Sequence, residues 1–169
     1  MILKTEFFNR DAEEIAPELI GKLLIREIDG EKIILRISEV EIYKGENDTA
    51  CHAHKGRTKR TEVMYGEAGR FYIYLCYGIH YLLNIVTGSI DEPQAILIRA
   101  TVEANGPGKL TKALKIDKSL NGKKAEKEST LWFEDDGQKF KYYKDKRVGI
   151  AYASKKDQNR LWRYVIKNI

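Results

Sequence analysis

The stretch Ser38-Glu39-Val40-Glu41-Ile42-Tyr43 sets two carboxylates and a phenol at every second position. In an extended chain these three side chains share one face and continue the apolar stripe of Ile33, Leu35 and Ile37, so the stripe turns acidic at its end. A carboxylate delivered to the edge of a core has its pKa tuned by desolvation, and a bulge in the strand would redirect it. Beside aromatic rings, a carboxylate such as Glu41 suits hydrolysis through a cationic transition state: it orients and deprotonates water while its charge stabilises an oxocarbenium-like sugar. The same pattern also fits an edge acid paired with a lysine.

Tyr43, His52, Tyr74 and Tyr77 could wall a site for a planar ligand. Stacking a nucleobase on such rings is worth about 1–3 kcal/mol, and a cationic alkylated base adds a cation–π attraction. Equally, tyrosines at alternate strand positions cover a sheet. His52-Ala53-His54 places two imidazoles on one side of an extended chain, but neither H-E-x-x-H nor C-x-x-C supplies further ligands, so no metal is expected. Gly106-Pro107-Gly108-Lys109 lacks the spacing of a P-loop. It is nearer to a helix-hairpin-helix loop, a reading the strand content opposes; more simply, it is a helix start facing a phosphate. The basic residues Lys55, Arg57, Lys59 and Arg60 cluster ahead of the tyrosines, whereas the lysines at 123, 124 and 127 are interspersed with acids.

The elements that must position these groups follow from pattern. Asp11 with Glu14 three residues later resembles a capping box, and Gly21 offers a stop for a helix burying Ile15, Leu19 and Ile20. Pro17 falls beyond the first turn and should kink or shorten that helix. Leu23–Ile28 and Glu31–Tyr43 read as strands joined by an Asp29-Gly30 turn. Phe71–Val86 is rich in β-formers and should form a hairpin turning near Tyr77-Gly78; five of the ten tyrosines lie between Tyr65 and Tyr81. Ala95–Ala100 reads as a buried strand, and a short helix follows Gly106-Pro107-Gly108. Further strands are expected at 131–133, 147–151 and 162–166, with a turn at Asp135-Asp136-Gly137.

At 169 residues, with no internal repeat and only three prolines, the chain reads as one folding unit, residues 1–169, burying about 70% of its unfolded surface. No apolar run approaches the ~20 residues of a membrane span, and the N-terminal residues lack a secretory signal, so a cytoplasmic protein is expected. Two cysteines, Cys51 and Cys76, make no disulfide framework and are expected as free thiols. Thirty basic against 25 acidic residues give a net charge of +5, which favours a polyanionic partner without requiring one.

Together, Ser38–Gly45, His52, Gly56–Thr61 with Met64-Tyr65, Tyr72–Gly78, Asn84-Ile85, Ala95–Ala100, Gly106–Leu110, Arg147–Ile150 and Leu161–Val165 resemble the 3-methyladenine DNA glycosylase family of the alkyladenine (methylpurine) type, in order and in spacing, from about Phe8 onward. The resemblance implies a mixed α/β (α+β) fold: one compact domain with a curved antiparallel sheet, peripheral helices and a protruding, DNA-intercalating β-hairpin. It implies a monofunctional glycosylase that flips an alkylated or deaminated purine out of duplex DNA and hydrolyses its glycosidic bond, as a monomer and without a cofactor. By that resemblance Glu41 rather than Glu39 is the general base and Arg99 holds the target phosphate and helps to orient the water. Tyr43, His52 and Tyr74 sandwich the base, and Asn84 excludes the 2-amino group of guanine. Tyr77 fills the gap left by the flipped nucleotide, and Arg57, Lys59 and Arg60 contact phosphates. Lys59 departs from a proline common in the family, and the loop between Asn84 and Arg99 has its own length. The contrasting reading is a non-enzymatic nucleic-acid binding module with a tyrosine-rich hairpin as its stacking platform, in which Glu41 has no role.

Overall fold

The long strand β2 (Glu31–Lys44) organises the molecule. The computed structural model describes residues 1–168. Its first half pairs antiparallel with β1 (Leu23–Ile28) through the tight Asp29-Gly30 turn, where both residues adopt positive φ. Its second half lies between β5 (Gln94–Thr101) and β8 (Arg163–Ile166). Beyond β5 come β4 (His80–Thr87) and β3 (Phe71–Cys76); β6 (Leu131–Glu134) flanks β1, and β7 (Tyr142–Asp145) flanks β8. The described residues thus form one curled antiparallel sheet of eight strands, ordered β3-β4-β5-β2-β1-β6, with β8 and β7 branching from β2. Short helices α1 (Thr5–Phe8), α2 (Ala12–Leu19), α3 (Pro107–Ala113) and α4 (Lys155–Gln158) surround it, giving the expected mixed α/β fold.

The expected unbroken stripe along β2 is corrected by a bulge. Pairing with β5 slips between Ile37 and Val40, so the parity of the strand changes there. Ile33, Leu35 and Ile37 face the main core, but beyond the bulge Val40 and Ile42 take over that role. Glu39, Glu41 and Tyr43 therefore lie on the opposite face. Phe71 and Ile73, Leu83 and Ile85, Ile96 and Ile98 share the core face with Val40 and Ile42, closed by α2 and α3 through Ile15, Leu19, Leu110 and Leu114. Truncating any one of these buried aliphatic residues to alanine should cost about 2–5 kcal/mol. The other face carries a smaller core of Cys51, Ala53, Met64, Tyr65, Tyr72, Val86 and Ala95, where the 45–70 segment folds back over the sheet.

Asp11 caps α2 by accepting from the Glu13 N–H, and Pro17 sits within the helix, which stops two residues later. The expected helix after Gly106 begins at Pro107, a residue suited to the first helical position. The strand expected at 147–151 is instead an irregular loop, and the neighbouring strand is β7. Gly149 has φ +74°, Arg147 is held by an ion pair, and the Val148 N–H is used outside any ladder. No helix among the described residues is long and apolar enough to cross a membrane.

Candidate active site

Alternation along four neighbouring strands brings the chemistry to one face. Glu41 of β2 is opposite Leu97 of β5, which is opposite Asn84 of β4, which is opposite Tyr72 of β3. Two residues along, Arg99 and Tyr74 join the same face. A cavity of about 860 Å³ opens there, lined by Tyr43, His52, Tyr74, Asn84 and Arg99 among others.

Glu41 lies behind this lining, with no exposed surface, and is bonded to three residues that form it. One carboxylate oxygen accepts from the Val148 N–H at 2.6 Å. The other accepts longer bonds from Tyr43 Oη at 3.3 Å and Arg99 Nη1 at 3.4 Å. Burial raises the Glu41 pKa above the ordinary carboxylate value, opposed by the Arg99 charge and the Val148 N–H and reinforced by Glu39. Arg99 also pairs with Glu39 at 3.5 Å, and Glu39 is held by Arg163 at 2.7 Å. Glu39 is thus committed to a second arginine, whereas Glu41 has only longer side-chain partners, both of which line the cavity. A desolvated carboxylate of this kind is equipped to take a proton from water.

The walls are aromatic. His52 packs edge-on to Tyr74 with ring centroids 4.5 Å apart, and its Nδ1 is 2.9 Å from Tyr72 Oη. Burial, aided by Arg60, lowers the His52 pKa to about 4, so the ring is neutral near pH 7. Burial pushes Tyr43 and Tyr74 far above the ordinary phenol value and Tyr72 up to about 12. All three are neutral donors or stacking surfaces. Asn84 is buried, with its Nδ2 donating to the Tyr72 carbonyl at 3.1 Å. His52 and His54 lie on one 3₁₀ turn (His52–Lys55) rather than a strand, and diverge: His54 Nδ1 meets the Glu46 carbonyl.

Tyr77 sits at the tip of the β3–β4 hairpin and is 91% exposed. It and Gly78 both adopt positive φ, as expected for this turn. Leu75 and Ile79 extend the exposed apolar surface beside it. Of the basic cluster, Arg60 lines the cavity and lies over the Tyr74 ring at 5.1 Å, and Lys59 is exposed. Arg57 is outside the cavity lining, ion-paired with Asp91 and stacked over Tyr65 at 4.5 Å. Both cysteines are free, and burial holds the Cys51 thiol up at about 11.

Sequence reading missed three contributors. Val148 acts through its backbone, which residue type does not reveal. Tyr72 positions His52, and its parity with Tyr74 on β3 could have indicated that. Arg147 and Asp48 form a fully buried pair at 2.6 Å, 99 residues apart in the chain, so local pattern gives no sign of it.

The cavity thus has aromatic walls, and just behind them a buried carboxylate is held by an arginine, a phenol and a backbone N–H that belong to its lining. The chain belongs to the methylpurine-DNA glycosylase family, whose profile matches it in two stretches, residues 6–104 and 102–169. It is 43% identical to a protein of Natranaerobius thermophilus over 99% of this chain and 96% of that one. It is 44% identical to one of Psychrobacter cryohalolentis over 90% and 86% of the two chains, and 39% identical to one of Methanocella arvoryzae over 99% and 93%. All three relatives carry the name 3-methyladenine DNA glycosylase.

Proposed function

We propose that this protein is a monofunctional DNA glycosylase of base excision repair. It extrudes an alkylated or deaminated purine, such as 3-methyladenine, 7-methylguanine, hypoxanthine or ethenoadenine, and hydrolyses its N-glycosidic bond. The observation that carries this reading is Glu41: a fully buried carboxylate bonded to Arg99, Tyr43 and the Val148 N–H, three residues that line an aromatic cavity.

Glu41 takes a proton from water as its oxygen attacks C1′ of the sugar; the C1′–N9 bond breaks and its electron pair leaves with the base. The carboxylate charge also stabilises the oxocarbenium-like transition state. A 3-methyladenine or 7-methylguanine base is already cationic and departs as a neutral molecule; hypoxanthine and ethenoadenine, neutral in the nucleotide, take a proton from solvent as they leave. Arg99 holds the target phosphate and helps to orient the water. Tyr43, His52 and Tyr74 sandwich the extruded base, where stacking contributes about 1–3 kcal/mol, and the neutrality of His52 spares a cationic base a like charge. Asn84 rejects guanine by steric clash with its 2-amino group. Tyr77 enters the duplex in place of the flipped nucleotide, whose extrusion costs a few kcal/mol, least at a damaged pair. Lys59 and Arg60 meet phosphates, with Arg57 contributing once it leaves Asp91. Water as the nucleophile yields a free base and an abasic site, with no strand cleavage, since no amine attacks the sugar.

The test is a base-release assay on methylated duplex DNA and on oligonucleotides carrying one hypoxanthine or ethenoadenine, in EDTA, read before and after alkali. Free base with strand breaks appearing only after alkali supports the proposal. Salt-dependent DNA binding without release of any base overturns it in favour of a stacking module.

A further inference from the structure

We propose that the buried Arg147–Asp48 ion pair is a positioning element of the site: it fixes the irregular loop that presents the Val148 N–H to Glu41. The inference rests on Glu41 acting as the general base. Loop 146–151 has no strand to hold it, yet it supplies the shortest bond to the carboxylate, 2.6 Å against 3.3 and 3.4 Å for Tyr43 and Arg99. Its anchor is the residue immediately before Val148. Arg147 Nη1 donates to Asp48 Oδ2 at 2.6 Å and to the Ile42 carbonyl at 2.9 Å. Arg147 Nη2 donates to Asp48 Oδ1 at 3.0 Å and to the Asp157 carbonyl at 3.2 Å. Asp48 is itself fixed by the N–H groups of Lys44 and Ala50. The guanidinium therefore refers the loop to the residue next to Glu41 on β2.

The pair is poorly arranged for stability alone. Both side chains are essentially unexposed, Arg147 Nε has no hydrogen-bond partner, and the guanidinium carbon lies 5.1 and 5.0 Å from the ring centroids of Tyr43 and Trp162. A buried ion pair is weak support for stability, because desolvating both charges offsets their attraction. Its geometry instead serves the Val148 N–H, which favours ionised Glu41. The other groups facing Glu41 are Arg99 from β5, Glu39 and Tyr43 from β2, Arg163 from β8, Arg147 from the loop and Tyr152 just after it. Loosening the loop while leaving these charges in place should raise the pKa of the base.

Arg147→Lys keeps the charge but loses the two-pronged geometry. Asp48→Asn loses a negative charge, which by itself would lower the Glu41 pKa, so an upward move there reports the lost N–H. Single-turnover release from methylated DNA would be followed across pH for wild type, both variants and Glu41→Gln, with folding checked by near-UV circular dichroism and affinity for DNA measured separately. Both folded variants should move the acid limb up by about half a pH unit or more, with a rate loss of roughly tenfold at neutral pH and affinity unchanged. An unmoved limb overturns the inference. Should neither variant fold, amide exchange in wild type decides: protection of Val148 comparable to Ile42 in the ladder supports the inference, and rapid exchange overturns it. Undiminished release by Glu41→Gln would instead remove the general-base reading on which it rests.

Discussion

Two residues of the site titrate away from their ordinary values in opposite senses, and both shifts come from burial. Glu41 is raised, which suits its proposed role as general base; His52 is lowered to about 4, which keeps uncharged the ring proposed to stack on the base. The second shift has a consequence for stability. Between pH 6.5 and about 4 the unfolded chain binds a proton at His52 that the folded chain does not, so stability rises with pH across that window and is lost as pH falls through it. Solvent screening at this half-buried ring limits the effect to the order of 1–3 kcal/mol. Urea unfolding at pH 7 and pH 4.5 should show His52→Gln losing less stability than wild type on acidification. Equal losses in the two proteins would show that the His52 pKa is not depressed.

Among elements, β2 and the β3–β4 hairpin carry the site. The hairpin was legible because Tyr77-Gly78 interrupts two runs of β-formers, and the Asp29-Gly30 turn was legible for the same reason. The bulge left a signal that a single period-two stripe passes over: the apolar residues change from odd positions (Ile33, Leu35, Ile37) to even ones (Val40, Ile42) across Ser38-Glu39, and the slip itself is fixed by pairing with β5, which is distant in sequence. Glu41 was singled out over Glu39 by the family resemblance, and the face on which it lies is opposite to that expected from the stripe. The 147–151 segment misled because Val148 and Ile150 alternate like strand residues, while long-range bonds to Asp48 and Glu41 replace a ladder.

Two predictions belong to elements. Tyr77 has φ +52°, so Tyr77→Gly removes a backbone penalty of about 1 kcal/mol together with the ring. Its melting temperature should be equal to or above that of wild type while base release at subsaturating DNA falls by about tenfold or more. Unchanged release would show that the ring does not support extrusion. At the end of α2, Gly21 has φ +85°, and a Cβ there would lie 2.2 Å from Phe140. Gly21→Ala should therefore destabilise by about 2–4 kcal/mol in urea unfolding, with the rate per folded molecule unaltered. A stability within about 0.5 kcal/mol of wild type would contradict that packing.

For the molecule as a whole, the net charge of +5 matters through its placement. Lys59 is exposed between Thr58 and Arg60, which line the cavity, whereas Arg57 is ion-paired with Asp91. Each phosphate neutralised contributes about −0.9 to the slope of log affinity against log salt. Lys59→Ala should flatten that slope by about 1 for undamaged duplex DNA, and Arg57→Ala by less. Equal effects would mean that Arg57 exchanges Asp91 for phosphate at little cost.

The central claim is that this sheet exists to hold one buried carboxylate against a flipped nucleotide. It is tested most directly by single-turnover base release with Glu41→Gln beside wild type on the same damaged duplex, with binding to that duplex measured in parallel. The predicted result is a loss of about 10²–10⁴-fold in rate with affinity retained. Release at the wild-type rate, from a variant that binds equally well, would contradict it.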